Sequence, residues 1–278
     1  MAKAIKHIKA GLLNIEVIGQ IPDPEKRHKS RASKSKATSA AQAFYNNKCS
    51  WRELELMIAA NFTGKDHVIT FTYDNAHLPK DKKSGGVLFQ KFVRKLRTVR
   101  KRRGEELKYI FVTEGFHERR EDDYFGGDGA LENGRIHHHV VINATGPGDL
   151  EELRSLWMYG GYLRAEKVDV HYYQQLAKYL TKEAREYGRP KPGDRTWRAS
   201  RNLTKYEVDY IEIPSDSVTL TAPFGAVDYT SFHETNPYGY ADCIGARYLM
   251  WPEERPSYSY TQGRNPKPPN NLKPRNKS

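Results

Sequence analysis

Three short segments rich in β-branched and aromatic residues constrain the fold of this chain more than any other feature: HVITFTY (67–73), KYIFVTE (108–114) and RIHHHVVIN (135–143). Each has the length and composition of a strand. After the first comes a turn-rich stretch, DNAHLPKDKKSGG, and then Leu88, Phe89, Phe92, Val93, Leu96 and Val99 recur at helical spacing with a basic run on the opposite face. Beyond the third, Asp149 is placed to N-cap a short helix, LEELRSLWM, whose first turn is acidic. YLRAEKVDV (162–170) reads as a fourth strand. YYQQLAKYLTKEAREYG (172–188) reads as a helix that Gly188 and Pro190 stop.

The order β-α-β-β-α-β, followed by a further helix, predicts an α+β fold of ferredoxin-like (RRM-like) type, an antiparallel sheet with helices packed on one face. Outside it, residues 1–40 are Lys-, Ser- and Ala-rich and read as a flexible basic arm. Residues 41–64 read as a helical lead-in, with Phe44, Trp51, Leu54 and Ile58 as its apolar positions. The main domain is expected over 65–203. Residues 204–257 form a C-terminal extension with strand-like pieces such as YEVDYIEIP, and 258–278 a disordered basic tail.

Forty-six Lys and Arg against 34 Asp and Glu leave a net charge of +12, concentrated in EKRHKSRASKSK (25–36), RKLRTVRKRR (94–103) and the tail. Clustered basic charge implies a polyanionic partner, most simply nucleic acid. No apolar run is long enough to cross a bilayer, and Cys49 and Cys243 lie too far apart to read as a metal pair, so a reducing, cytoplasmic setting without membrane contact is expected.

The histidine triplet resolves through strand alternation. His137 and His139 share one face with Val141, while Ile136, His138, Val140 and Ile142 share the other. Two imidazoles side by side can grip a divalent cation. Consecutive antiparallel strands place the end of one beside the start of the next, which brings Glu114 to His137. Two imidazoles, one carboxylate and open positions suit Mn²⁺ or Mg²⁺. His138 is expected to pack against a helix.

A metal beside basic surface suggests phosphodiester chemistry. On the last helix the apolar stripe is Tyr173, Leu176, Ala177, Leu180 and Ala184. Tyr179 lies at its polar edge, with Lys182 at i+3 to hold a phosphate or stabilise charge near a phenolate.

Together ITFTY, FVTEG, GRIHHHVVIN and KYLTKE, in this order, resemble the HUH endonucleases, and most of all the single-tyrosine rolling-circle replication initiators of plasmids and single-stranded DNA phages. The resemblance covers roughly residues 65–190. It implies that His137, His139 and Glu114 hold a divalent metal and that Tyr179 attacks single-stranded DNA at a replication origin, with Lys182 assisting. The product would be a 5′-phosphotyrosine link and a free 3′-OH, and religation would follow by strand transfer. Two departures stand out. His138 occupies the position between the paired histidines that the family fills with a bulky hydrophobic residue, and Gln175 stands where two-tyrosine members carry a second tyrosine.

No phosphate-binding loop of a helicase is present, so a host helicase and DNA polymerase are the implied partners. RTWRASRNL (195–203) offers Arg195, Trp197, Arg198 and Arg201 as DNA contacts, the arginines for phosphates and the indole for a base. The rival readings are another HUH enzyme, a relaxase or transposase, and a non-catalytic ferredoxin-like nucleic-acid-binding protein.

Overall fold

The computed structural model describes residues 3–20, 40–115, 135–182, 195–213, 219–234 and 243–251. The chain begins with β1 (Lys3–Ala10), β2 (Leu13–Gln20) and α1 (Ala40–Asn61). Next come β3 (His67–Phe71), α2 (Lys82–Arg102), β4 (Tyr109–Glu114), β5 (His137–Ile142), α3 (Asp149–Leu156), β6 (Leu163–Lys167) and α4 (Tyr173–Leu180). It continues with β7 (Arg198–Ala199), β8 (Glu207–Glu212), β9 (Val227–Glu234) and β10 (Cys243–Leu249).

The β3-to-β6 segment forms the expected antiparallel sheet, in the order β6-β3-β5-β4-β7. Its first four strands stand in ferredoxin-like order, with the short β7 added at the β4 edge. The crossover helices α2 and α3 cover one face. There Phe71, Phe89, Phe92, Leu96, Phe111 and Trp157 form an aromatic-rich core, with the Phe89 and Phe111 rings 4.5 Å apart. The opposite face, which was expected to be free of helices, carries α1 and α4 over Ile110, Val112 and Val141.

Three local readings are corrected. Asp149 is not the N-cap of α3. Gly148, at φ +89°, takes that place, while the Asp149 carboxylate turns back and accepts from the N–H groups of Thr145 and Gly146. The glycines read as a turn, Gly85 and Gly86, lie inside α2, which Asp81 caps by accepting from the Ser84 N–H at 2.7 Å. A Cβ on Gly85 would meet Ile136 Cγ2 at 2.9 Å, so this glycine serves close approach of helix to strand. The last helix is described only to its first part; residues 183–194 lie outside the described residues.

The supposed flexible arm contains a hairpin. β1 and β2 pair along their length around a two-residue turn, Gly11–Leu12. Ala4, Ile8 and Ala10 alternate with Lys and His along β1, and their side chains are buried. The lysine-rich composition conceals this period-2 pattern. Gly11 has φ +58°, and a Cβ there would run into the Ala59 carbonyl oxygen, which fixes the hairpin tightly on α1. Residues 21–39 of the arm and the tail at 258–278 lie outside the described residues.

The C-terminal extension supplies the remainder of a second sheet, ordered β8-β1-β2-β10-β9 and antiparallel throughout. Helix α1 is therefore no lead-in. Its Leu54, Leu56, Met57, Ile58 and Phe62 bury themselves among Ile8, Leu13 and Leu249 of the second sheet and Ile110, Val112 and Val141 of the first. A helix apolar nearly all round is what a position between two sheets requires. Polar links flank this core: Arg247 pairs with the buried Glu55, Arg52 with Glu234 at 2.5 Å, and the Tyr206 hydroxyl donates to Glu53 at 2.6 Å.

Candidate metal centre and nucleophile

The β4–β5 register pairs Glu114 with His137 and Val112 with His139, and the side chains converge. His137 Nε2 and His139 Nε2 stand 3.1 Å apart. Glu114 Oε2 lies 3.5 Å from the first and 3.4 Å from the second. Among the described residues this is the one group of three or more His, Cys, Asp and Glu side chains close enough to hold a metal ion.

Neighbouring groups turn the ligand atoms inward. The His137 Nδ1–H donates to the Arg135 carbonyl at 2.9 Å. A carbonyl can only accept, so Nε2 keeps its lone pair. On the other ring, His139 Nδ1 is held by the Thr70 hydroxyl at 3.0 Å; Thr70 faces His139 across the β3–β5 ladder. Two Nε2 lone pairs aimed at each other are the arrangement a cation would relieve.

Glu114 Oε1 is buried with no hydrogen-bond partner among the described residues, a costly state unless a ligand satisfies it. Burial raises the Glu114 carboxyl, but hydrogen bonds and charge from His137 and His139 outweigh it and hold the group at about 2. Burial lowers His137, while Glu114 and the Arg135 carbonyl more than reverse this and leave it raised. The donor set fits a divalent cation of the Mn²⁺ or Mg²⁺ class.

His138 answers the rest of the triplet. It is fully buried on the α2 face, with the Thr113 hydroxyl 2.9 Å from Nδ1 and the Tyr73 hydroxyl 2.8 Å from Nε2. Tyr73 in turn donates to the Gly85 carbonyl. That chain satisfies a neutral imidazole at both nitrogens, and burial pushes its pKa down to about 3.

Tyr179 leaves α4 on the histidine side. Its hydroxyl lies 3.4 Å from His139 Nε2, with the rings edge to face at 5.0 Å. Tyr173, Ala177 and Leu180 are buried and anchor the helix, while Tyr179 keeps 52% of its surface exposed. Burial raises the phenol, the Glu114 carboxylate raises it further, and Arg164 partly opposes them.

The remaining sequence-derived residues are less central. Lys182 is exposed just beyond Thr181, the C-cap of α4. Trp197 packs against the core between the sheets and donates its indole N–H to the Ser50 carbonyl at 3.3 Å, so its ring is engaged in packing and is not free to stack on a base. Arg198 pairs with Phe111 at the β4 edge, on the α2 face and away from the histidines. Arg195 and Arg201 are exposed. Sequence reasoning missed Thr70, and it missed Lys82, the first residue of α2, whose charge acts on Glu114 and His137. It also missed Arg164. The register of β3 with its neighbours is the signal that finds Thr70 and Arg164.

Residues 66–184 match a family model of replication-associated proteins of the ORF2 type. The matched span holds the ferredoxin-like core, the metal-type cluster and Tyr179, and it supports a role in DNA replication. No curated protein and no solved structure matches the chain. No helix among the described residues is long and apolar enough to cross a membrane.

Proposed function

We propose that this chain is a rolling-circle replication initiator that nicks single-stranded DNA at a replication origin. The observation that carries the proposal is the Tyr179 hydroxyl, 3.4 Å from an imidazole of the Glu114–His137–His139 group. A nucleophile on a rigid helix beside a cation site is the pairing that phosphodiester transfer needs.

Glu114, His137 and His139 would hold Mn²⁺ or Mg²⁺, which when bound polarises a non-bridging phosphate oxygen. The Tyr179 oxygen attacks the phosphorus, the bond from phosphorus to the 3′ oxygen breaks, and the phenol proton passes to water. The departing 3′ oxygen takes up a proton, leaving a 5′-phosphotyrosine and a free 3′-OH to prime a host polymerase. Attack by a 3′-OH on the phosphotyrosine reverses the step and religates. Lys182 would steady the charge on the transferred phosphate. A host helicase would open the duplex.

The test compares the parent protein with Tyr179→Phe on labelled single-stranded DNA from the presumptive origin, with Mn²⁺. Tyr179→Phe should bind as the parent does and leave the strand whole. Full cleavage by that variant would overturn the assignment of the nucleophile.

A further inference from the structure

β6 is the edge strand of the first sheet. Its Leu163 and Ala165 pack on the α2–α3 side, so alternation turns Tyr162, Arg164 and Glu166 to the face that carries His137, His139 and Tyr179. Arg164 pairs with Thr70, which pairs with His139. Tyr162 sits beside Thr72, whose N–H and hydroxyl donate to its carbonyl at 3.1 Å and 2.8 Å. Two strand spacings separate β6 from β5, so Tyr162 and Arg164 lie about 10 Å from the paired histidines.

α1 and α4 close the inner part of this face, over Ile110, Val112 and Val141. Toward β6 it stays open: Tyr162 is 67% exposed and the Arg164 side chain 68% exposed. Presentation of the tyrosine is rigid. Gly160 and Gly161 have φ of +61° and +76°, and a Cβ on Gly161 would run into the Thr72 carbonyl. The Trp157 indole N–H donates to the carbonyls of Thr72 and Gly160, both at 2.9 Å. An aromatic side chain held this firmly in water, beside an arginine, has no evident role in the core. Arg164 pairs with Glu166 at 2.5 Å, but an exposed pair contributes little and leaves guanidinium donors for a phosphate.

We propose that Tyr162 and Arg164 form a subsite for single-stranded DNA flanking the scissile phosphate, with a base stacked on the Tyr162 ring and a backbone phosphate on Arg164. The proposal rests on the reading of the chain as a single-strand nuclease.

The test is fluorescence anisotropy with labelled oligothymidylate in EDTA, over a salt series, on the full chain. Tyr162→Ala should weaken binding about tenfold and Tyr162→Phe should bind within about twofold of the parent, as stacking predicts. Arg164→Ala should weaken binding and reduce the slope of log affinity against log salt by about 0.7. Arg97→Ala, an exposed cation on α2 across the sheet, is the control and should do neither. Parent-like binding by Tyr162→Ala overturns the stacking role, and equal losses from Arg97→Ala and Arg164→Ala overturn the phosphate role. In either case adduct formation on Tyr179 by the parent protein would leave the nuclease reading standing. A parent protein with no affinity for single-stranded DNA would overturn both.

Discussion

Replacing Glu114 with glutamine keeps the side-chain volume at the centre of the cluster and removes its charge. Glu114 Oε2 lies 3.5 Å and 3.4 Å from the two histidine Nε2 atoms, and the side chain is 13% exposed. Burial raises its carboxyl, yet the imidazoles hold it at about 2 against an ordinary 4.5. That gap, at about 1.4 kcal/mol per pH unit, corresponds to roughly 3 kcal/mol of attraction between the carboxylate and positive charge on the rings. A divalent cation on the same Nε2 atoms would present at least as much positive charge. Glu114→Gln is therefore expected to weaken Mn²⁺ binding by roughly 100-fold, read by electron paramagnetic resonance of free Mn²⁺ over DNA-free protein near pH 7.5. Glu114→Asp, which keeps the charge on a shorter stem, should fall between the two. An affinity for Glu114→Gln within about threefold of the parent would refute the reasoning, because a carboxylate ligand cannot be lost so cheaply.

Protons should compete with the metal. The raised pKa of His137 means that its imidazole is protonated at higher pH than an ordinary histidine, so Mn²⁺ affinity should already decline as pH falls toward neutrality; a flat titration from pH 8 to 6 would contradict this. His138 stays neutral in the fold down to about 3, whereas the unfolded chain protonates it near 6.5. Its contribution to stability is complete above the unfolded value and is lost as pH falls below it, at up to about 1.4 kcal/mol per pH unit; urea unfolding at two pH values, compared with His138→Phe, measures that slope. Trp197→Ala should cost about 2 kcal/mol of stability through lost packing, seen in the same unfolding assay. A loss of DNA affinity at unchanged stability would instead restore Trp197 as a contact.

The legible parts of this protein follow rules that act over short stretches of sequence. Strand alternation alone separates His137 and His139 from His138, and the geometry of consecutive antiparallel strands brings in Glu114. Helical periodicity places Tyr179 at the edge of an apolar stripe. Each inference needs only local pattern and one register. The second sheet was not legible because its pairings join residues some two hundred positions apart, β1 to β8 and β2 to β10, and no local pattern specifies such partners. Gly85 misled because glycine marks both turns and close approaches. Asp149 misled because a carboxylate at a helix start can cap the helix or the loop before it, and here it binds the loop. Trp197 looked like a stacking residue among arginines, since composition does not reveal that its ring lies against α1.

The central claim is that Tyr179 becomes covalently joined to DNA. Its most direct test is to incubate the chain with single-stranded origin DNA and Mn²⁺, denature it, digest it, and locate any nucleotide-bearing peptide by mass spectrometry. The account predicts a 5′-phosphate ester on Tyr179 that EDTA abolishes. Cleaved DNA with no adduct on Tyr179, or tight binding to origin DNA with neither cleavage nor adduct, would contradict it.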